Sequence, residues 1–488
     1  MMGLRVRKLV CLSNSAGRIG WLPLLLAGAL ALTVTTVSAQ TLTPLYSFTG
    51  GSDGSFPYGS LVVDASGNLY GTTYGGGGSV KCGGCGVVFK VTPAGAESVL
   101  YSFSGFSTGD GQNPLAGLVM SPSGNLFGTT SAGGSGGTVF EVTPTGTETV
   151  LFPFSGGGSG GAFPAAGVIM DASGNLYGTT EFGGASGFGT VFKLTPAGAE
   201  TVLYSFAGGG DGGFPSAGLV MDAAGNLYGT TSNGGNLSGC SASGCGVVFK
   251  VTPSGTESVL YTFSGGGDGG TPFAGLIMDS AGNVYGTTSA GGNLTGCAGG
   301  CGVVFKVTPA GSESVLYTFT GGSDGANPAA GLLMDASGIL YGTTSVAGAD
   351  GFGTVFKVTS AGAETTLHTF TSGADGANPQ DALVADASGN LYGTASQGGN
   401  LSDCHGFGCG AVFKLSGTGF SVPSTRFAGT PGKPDCLGVS VFTLAKTYGG
   451  IDHAARSLKY PSVNALLEAV WDYCSESKKD CGGGSHSK

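Results

Sequence analysis

A block of some fifty residues recurs seven times along this chain, reading GLVMDASGNLYGTT, a glycine-rich loop, then GVVFKVTPAG and ESVLYSF. Its aromatic marker falls at Tyr70, Phe127, Tyr177, Tyr228, Tyr285, Tyr341 and Tyr392, at intervals of 57, 50, 51, 57, 56 and 51 residues. A repeat of this length is one supersecondary unit that buries its apolar faces by stacking on its neighbours. Repetition therefore overrides the two to four separate domains that 488 residues would otherwise suggest. Glycine accounts for 100 residues without a G-x-y period, which excludes collagen and leaves turns as its use.

Each copy offers four strand candidates separated by turn chemistry. A continuous apolar run such as Gly167-Val168-Ile169-Met170 suits a strand covered on both faces. Asp171 to Asn175 reads as a tight polar turn. The Asn-Leu-Tyr-Gly-Thr-Thr, Val-Val-Phe-Lys-Val-Thr and Glu-Ser-Val-Leu-Tyr-Ser-Phe segments carry the β-branched and aromatic residues that strands prefer. Lys90, Lys193, Lys250, Lys306 and Lys357 on the third strand are expected to pair across the hairpin with Glu97, Glu200, Glu257, Glu313 and Glu364. Copy two has Glu141 with Glu148, so that pair is not essential to the unit.

Seven four-stranded units predict an all-β fold, a seven-bladed β-propeller. The chain ends strengthen this over a β-helix, whose coils are much shorter. Leu42 to Phe48 reads as a fourth strand placed before copy one, whereas copy seven stops at Val412-Phe413-Lys414-Leu415 with no fourth strand of its own. An orphan strand at one end and a vacancy at the other are what ring closure requires, and closure removes open edges.

The wording GNLYGTT, GVVFKVTPAG and ESVLYSF resembles the GloVer-type tandem repeat of exported bacterial proteins across roughly residues 42–420. The resemblance implies export, often with a surface-sorting tail, and implies no particular chemistry. The expected C-terminal anchor, an apolar span followed by basic residues, is missing from this chain.

On a propeller, the strand one–two and three–four turns share one face, and the strand two–three and blade-to-blade loops share the other. The first set is short and uniform; the second is long and variable, the place where binding surfaces are grafted. Cys82/Cys85, Cys240/Cys245, Cys297/Cys301 and Cys404/Cys409 all fall in the two–three loop, in the copies where that loop is longest. Uneven spacing and separation onto different blades favour local disulfides over zinc or redox chemistry. Asn236, Asn293 and Asn400 match a glycosylation pattern but read as repeat residues. Asp53, Asp110, Asp211, Asp268, Asp324 and Asp375 in the blade-to-blade loops read as turn residues rather than a calcium crown.

Catalysis needs asymmetry, and the departures from the repeat are Glu181, His368, Asp381 and His405. They lie in separate copies and assemble no nucleophile–base–acid set, so no catalytic, cofactor or metal residue is assigned. The net charge of −10 and the pI near 4.8 argue against nucleic acid as a partner.

Flanking segments complete the organisation. Residues 1–39 read as a signal peptide: Arg5, Arg7, Lys8 and Arg18 precede the apolar run Trp21 to Leu32, and Val37-Ser38-Ala39 suits cleavage. With no other apolar span, a secreted, extracellular or cell-surface location is expected, with the periplasm as another possibility. The repeats fill 40–420, and Pro431, Gly432 and Pro434 mark a linker over 421–435. Helical apolar stripes over 436–481, with Cys436 and Cys474 placed to staple them, predict a small α-helical C-terminal module for anchoring or docking. Cys481 is left over. The whole reads as a binding or scaffolding propeller whose ligand is a glycan or an envelope protein. The alternative is an extracellular enzyme acting on polysaccharide over the central channel.

Overall fold

The computed structural model describes residues 40–78, 84–105, 109–238, 240 and 243–422. These form seven four-stranded antiparallel sheets, the blades of a propeller. Blade five is representative, with Ile277–Met278, Val284–Thr288, Val303–Val307 and Glu313–Thr318 paired in sequence order from the axis outward. The seventh blade closes the ring as expected: Thr41–Ser47 pairs antiparallel with Ala411–Ser416, in register from Thr41 opposite Ser416. The expected signal peptide, linker and helical module lie outside the described residues, apart from Ser421 and Val422.

The inner strand is shorter than its apolar run. Only two residues per blade pair as strand, and the Ala-Gly-Leu portion before them turns inward to line the axis. The glycine of the Tyr-Gly-Thr-Thr strand has a packing cause. A Cβ on Gly286 would sit 2.7 Å from the Phe305 ring and 2.8 Å from Leu276, so only glycine lets the third-strand phenylalanine lie flat there.

Blades are joined by three rings of contacts. Phe48, Phe103, Phe154, Phe206, Phe263, Phe319 and Phe370 each meet a third-strand phenylalanine of the next blade edge-on at 5.0–5.2 Å. Such a geometry contributes about 0.5–1.5 kcal/mol beyond burial. Phe48, directly after the N-terminal strand, fills the place that the phenylalanine following a fourth strand of copy seven would have filled. Nearer the axis, Thr72, Thr129, Thr179, Thr230, Thr287 and Thr394 donate their hydroxyls to a carbonyl of the next blade at 2.9–3.2 Å.

The third ring sits in the blade-to-blade loops. Phe56, Asn113, Phe163, Phe214, Thr271, Asn327 and Asn378 each precede a proline and each adopt a left-handed φ of 54–58°. That conformation is costly for a residue other than glycine. Its use is visible in the bonds. Each of these residues donates its N–H to a carbonyl of the preceding blade at 2.7–3.0 Å.

The Lys–Glu hairpin pairs are not formed. Lys90 stands opposite Ser98, and Glu97 opposite Val91, so the one-residue offset sends lysine and glutamate to opposite faces of the blade. Lys90 instead lies 5.7 Å over the ring of Tyr70, its partner on the second strand, and four other lysines repeat this. Glu97 turns toward the adjacent blade, where burial and then Asp53 push its carboxyl up to about 7.

Candidate functional site: the loop-rich face and axial cavity

The repeated aspartates are latches. Asp53 accepts the Tyr46 hydroxyl at 2.9 Å, the Thr49 N–H at 2.8 Å and the Thr49 hydroxyl at 2.6 Å, closing the blade-to-blade loop. Asp211, Asp268 and Asp324 take the tyrosine and backbone parts of this role, and His368 replaces the tyrosine opposite Asp375 at 3.2 Å. At the junction after copy two the tyrosine is Phe152 and the loop carries no aspartate, so both partners disappear together. A second latch closes the strand one–two turn. Asp64 accepts the Ser66 and Asn68 N–H groups, the Asn68 amide and the Tyr70 hydroxyl at 2.7–3.0 Å. Burial alone would raise this carboxyl, but Asn68, Tyr70 and Ser66 together outweigh it and hold it below its ordinary value. Both sets of aspartates are therefore structural.

The disulfides form as expected at Cys240–Cys245, Cys297–Cys301 and Cys404–Cys409. Cys85 is also disulfide-bonded, and its expected partner Cys82 lies outside the described residues. The carbonyls of Cys85, Cys245, Cys301 and Cys409 accept the left-handed N–H of the next blade, so each staple fixes an inter-blade bond. The sulfurs also cover a neighbouring glycine: a Cβ on Gly321 would lie 2.6 Å from Cys297 Sγ. In blade three, Phe188 takes the cysteine's position and covers Gly208 in the same way.

The two–three and blade-to-blade loops share a face, joined by short bridges such as Ser55 with Gly75 and Gly270 with Ala290. Every exposed large hydrophobic side chain among the described residues belongs to these loops: Tyr74, Phe182, Leu237, Phe273, Leu294, Val346, Phe352, Leu401 and Phe407. Leu237, Leu294 and Leu401 follow the three Asn residues of the glycosylation pattern. The asparagines turn back onto their own loops, Asn293 Oδ1 accepting the Thr295 N–H and hydroxyl. Charge is distributed the other way. Residues 40–422 contain no arginine, and all six described lysines lie on third strands, away from these loops.

At the centre of this face a cavity of about 860 Å³ runs along the axis, lined by all seven blades. Its walls repeat in layers. The residue after each loop proline forms the upper layer: Tyr58, Leu115, Ala165, Ser216, Phe273, Ala329 and Gln380. This is a position of high variability inside an otherwise faithful repeat, and that variability is the sequence signal that marks it. The next position is Ala or Gly in six blades and Asp381 in the seventh. Tyr74, which also lines the cavity, meets Tyr58 edge-on at 5.7 Å.

Of the four departures from the repeat, only Asp381 reaches the cavity. Its carboxylate accepts the Ser60 N–H of blade one at 2.5 Å and its neighbour Ala382 N–H at 2.6 Å. Burial, opposed by those two donors, pushes its carboxyl up to about 6. Thr343, whose counterparts donate to the next blade at this level, has no partner for its buried hydroxyl. Glu181 takes the place held by serine in five copies, and burial raises its carboxyl. His368 belongs to a latch, and His405 sits in the 3-10 turn Cys404–Gly406.

Solved structures similar to this chain include a structural-genomics target assigned as a gluconolactonase (12% identity, 78% of this chain and 92% of that chain, TM-score 0.37). A gluconolactonase from Xanthomonas campestris aligns at 13% identity over 66% and 90%, with TM-score 0.38. A luciferin-regenerating enzyme aligns at 11% identity over 79% and 97%, with TM-score 0.39. No curated protein matches the sequence. Residues 31–241, 81–299 and 237–449 each match one repeat family and together span the propeller. The chain belongs to the Gloeobacter/Verrucomicrobia repeat family.

Proposed function

We propose that this protein is an exported binding propeller whose loop-rich face engages a glycan or an envelope protein at the cell surface. The observation that carries the reading is the segregation of all nine exposed large hydrophobic side chains among the described residues onto that face, with the described lysines elsewhere. Exposed apolar groups gathered on one surface mark an interaction site, whereas scattered ones do not. Aromatic rings at Tyr74, Phe182, Phe273, Phe352 and Phe407 suit stacking on sugar rings or packing against apolar protein surface. Among the described residues this face carries no lysine or arginine, which disfavours polyanions. Export is supported by the leader-like sequence of residues 1–39 and by disulfides, which persist in oxidising compartments. Polysaccharide hydrolysis uses a pair of carboxyl groups about 5–9.5 Å apart. Asp381 is the one carboxylate among the described residues that line the cavity, which favours binding over the enzymatic alternative.

The test is a panel of glycans, polymers and envelope fractions, probed with the mature chain and with a chain truncated at Gly429. Binding by both forms is the expected result for recognition by the propeller. Loss of envelope association only in the truncated form would assign attachment to the C-terminal segment, and no association by either would overturn the reading.

A further inference from the structure

The cavity on the propeller axis holds one charge that the fold does not explain. Six blades place Ala or Gly at the innermost level, and six threonine hydroxyls tie neighbouring blades together there. Asp381 replaces the small residue in blade seven, and the Thr343 hydroxyl that would complete the ring is left buried without a partner. Asp381 is half-buried, and withdrawing a carboxylate from water is unfavourable unless it is paired. Here no cation of the protein lines the cavity, and two backbone N–H groups are the donors the carboxylate receives.

What lies beside it has a definite chemistry. Ser60, whose N–H holds the Asp381 carboxylate, is two residues beyond Tyr58 on the adjoining blade. Tyr58 and Tyr74 make an edge-on pair, and both line the same cavity as Asp381 and Gln380. A carboxylate and electron-rich rings lining one cavity are complementary to an organic cation, which gains from both. The volume of about 860 Å³ lies within the range of small-molecule sites.

We propose that the axial cavity binds an organic ammonium group, seated between the Asp381 carboxylate and the Tyr58–Tyr74 pair. This site shares Tyr74 with the loop-rich face, but it is tested through Asp381, which is not part of the surface reading, so its failure is distinguishable from failure of the surface ligand. The titratable groups lining the cavity are Asp381, Tyr58 and Tyr74. Burial raises the Tyr58 hydroxyl, with Tyr74 adding to the effect, so Tyr58 stays neutral at physiological pH. Because burial pushes the Asp381 carboxyl up to about 6, amine affinity is expected to fall as the pH drops through that value.

Isothermal titration of the mature protein with tetramethylammonium and with glucosamine, against the neutral shape mimic tert-butanol, tests the site. Asp381→Ala restores the residue type of most other blades and keeps the fold, and Asp381→Asn keeps the side-chain shape. The expected result is saturable binding of a cationic probe, at least about tenfold weaker in both variants, with no binding of tert-butanol. Unchanged affinity in both variants would overturn the proposal. So would the absence of cation binding by the wild-type protein, which would leave Asp381 as a clasp between blades seven and one.

Discussion

The strained residues before the loop prolines are where single side chains decide most. Asparagine occupies three of the seven positions and tolerates left-handed backbone through its short polar side chain. Thr271 is the β-branched member of the set, at φ 54°, and is the most strained for its type. Replacing it with Asn is expected to stabilise the protein by about 0.5–1 kcal/mol in urea unfolding, with the inter-blade bond to Cys245 retained. Charged residues set the pH response. Glu97, Glu148, Glu257 and Glu313 have carboxyls pushed up to about 7 by burial and a facing aspartate, from an ordinary value of 4.5. A folded value above the unfolded one means the native state binds more protons in that window, so stability falls as pH rises from 4.5 to 7. The turn aspartates Asp64, Asp171, Asp222, Asp279 and Asp386 are held low, so their contribution is lost as pH falls below 3.8. Thermal unfolding is therefore expected to peak near pH 4.5–5 and to decline toward pH 8, a decline that Glu→Gln at the four sites flattens. The recurrence of this glutamate in six of the seven copies was legible in the sequence, but its role was not. Lys–Glu proximity suggested pairing, and only the one-residue register offset reveals that they face apart.

At the level of elements, several two–three loops share one task, that of covering a glycine at the blade junction and holding the carbonyl that binds the next blade. Cystine does this in blades four, five and seven, and Phe188 does it in blade three. The two solutions are expected to be interchangeable. Cys297→Ala with Cys301→Ala is expected to cost about 2 kcal/mol, near the upper limit for closing so short a loop. Cys297→Ala with Cys301→Phe, which copies blade three, recovers most of that loss in the same unfolding measurement. Local disulfides were readable from spacing and compartment. Their equivalence to a phenylalanine was not, because it depends on which neighbour the loop covers. Copy six shows a related dependence. Ile339 replaces the usual turn asparagine, and the chain after the last strand fills the gap: Ser421 donates to Asp335, and Phe420 packs on Tyr341 at 5.1 Å. Lys357, released from its tyrosine, donates to the Thr418 carbonyl at 3.2 Å.

For the whole molecule, the N-terminal segment both completes blade seven and supplies Phe48 to the last inter-blade pair, so the ring has no open sheet edge there. The resulting disc has one face of short latched turns and another of long loops that carries the apolar side chains. The seven-fold wording of the repeat made the ring and its two faces legible. The axial cavity was hidden in the variable residue after each proline, which acquires meaning only once seven blades converge on one axis. The decisive measurement compares two sets of substitutions by binding affinity for whichever glycan or envelope fraction the mature chain retains. One set changes Phe273, Leu294 and Phe407 to Ser on the loop-rich face; the other changes Ser66, Ser173 and Ser388 to Ala on the turn face. Loss of at least about tenfold in the first set with little change in the second is the predicted result. Full affinity in the first set, or loss confined to the second, would contradict it.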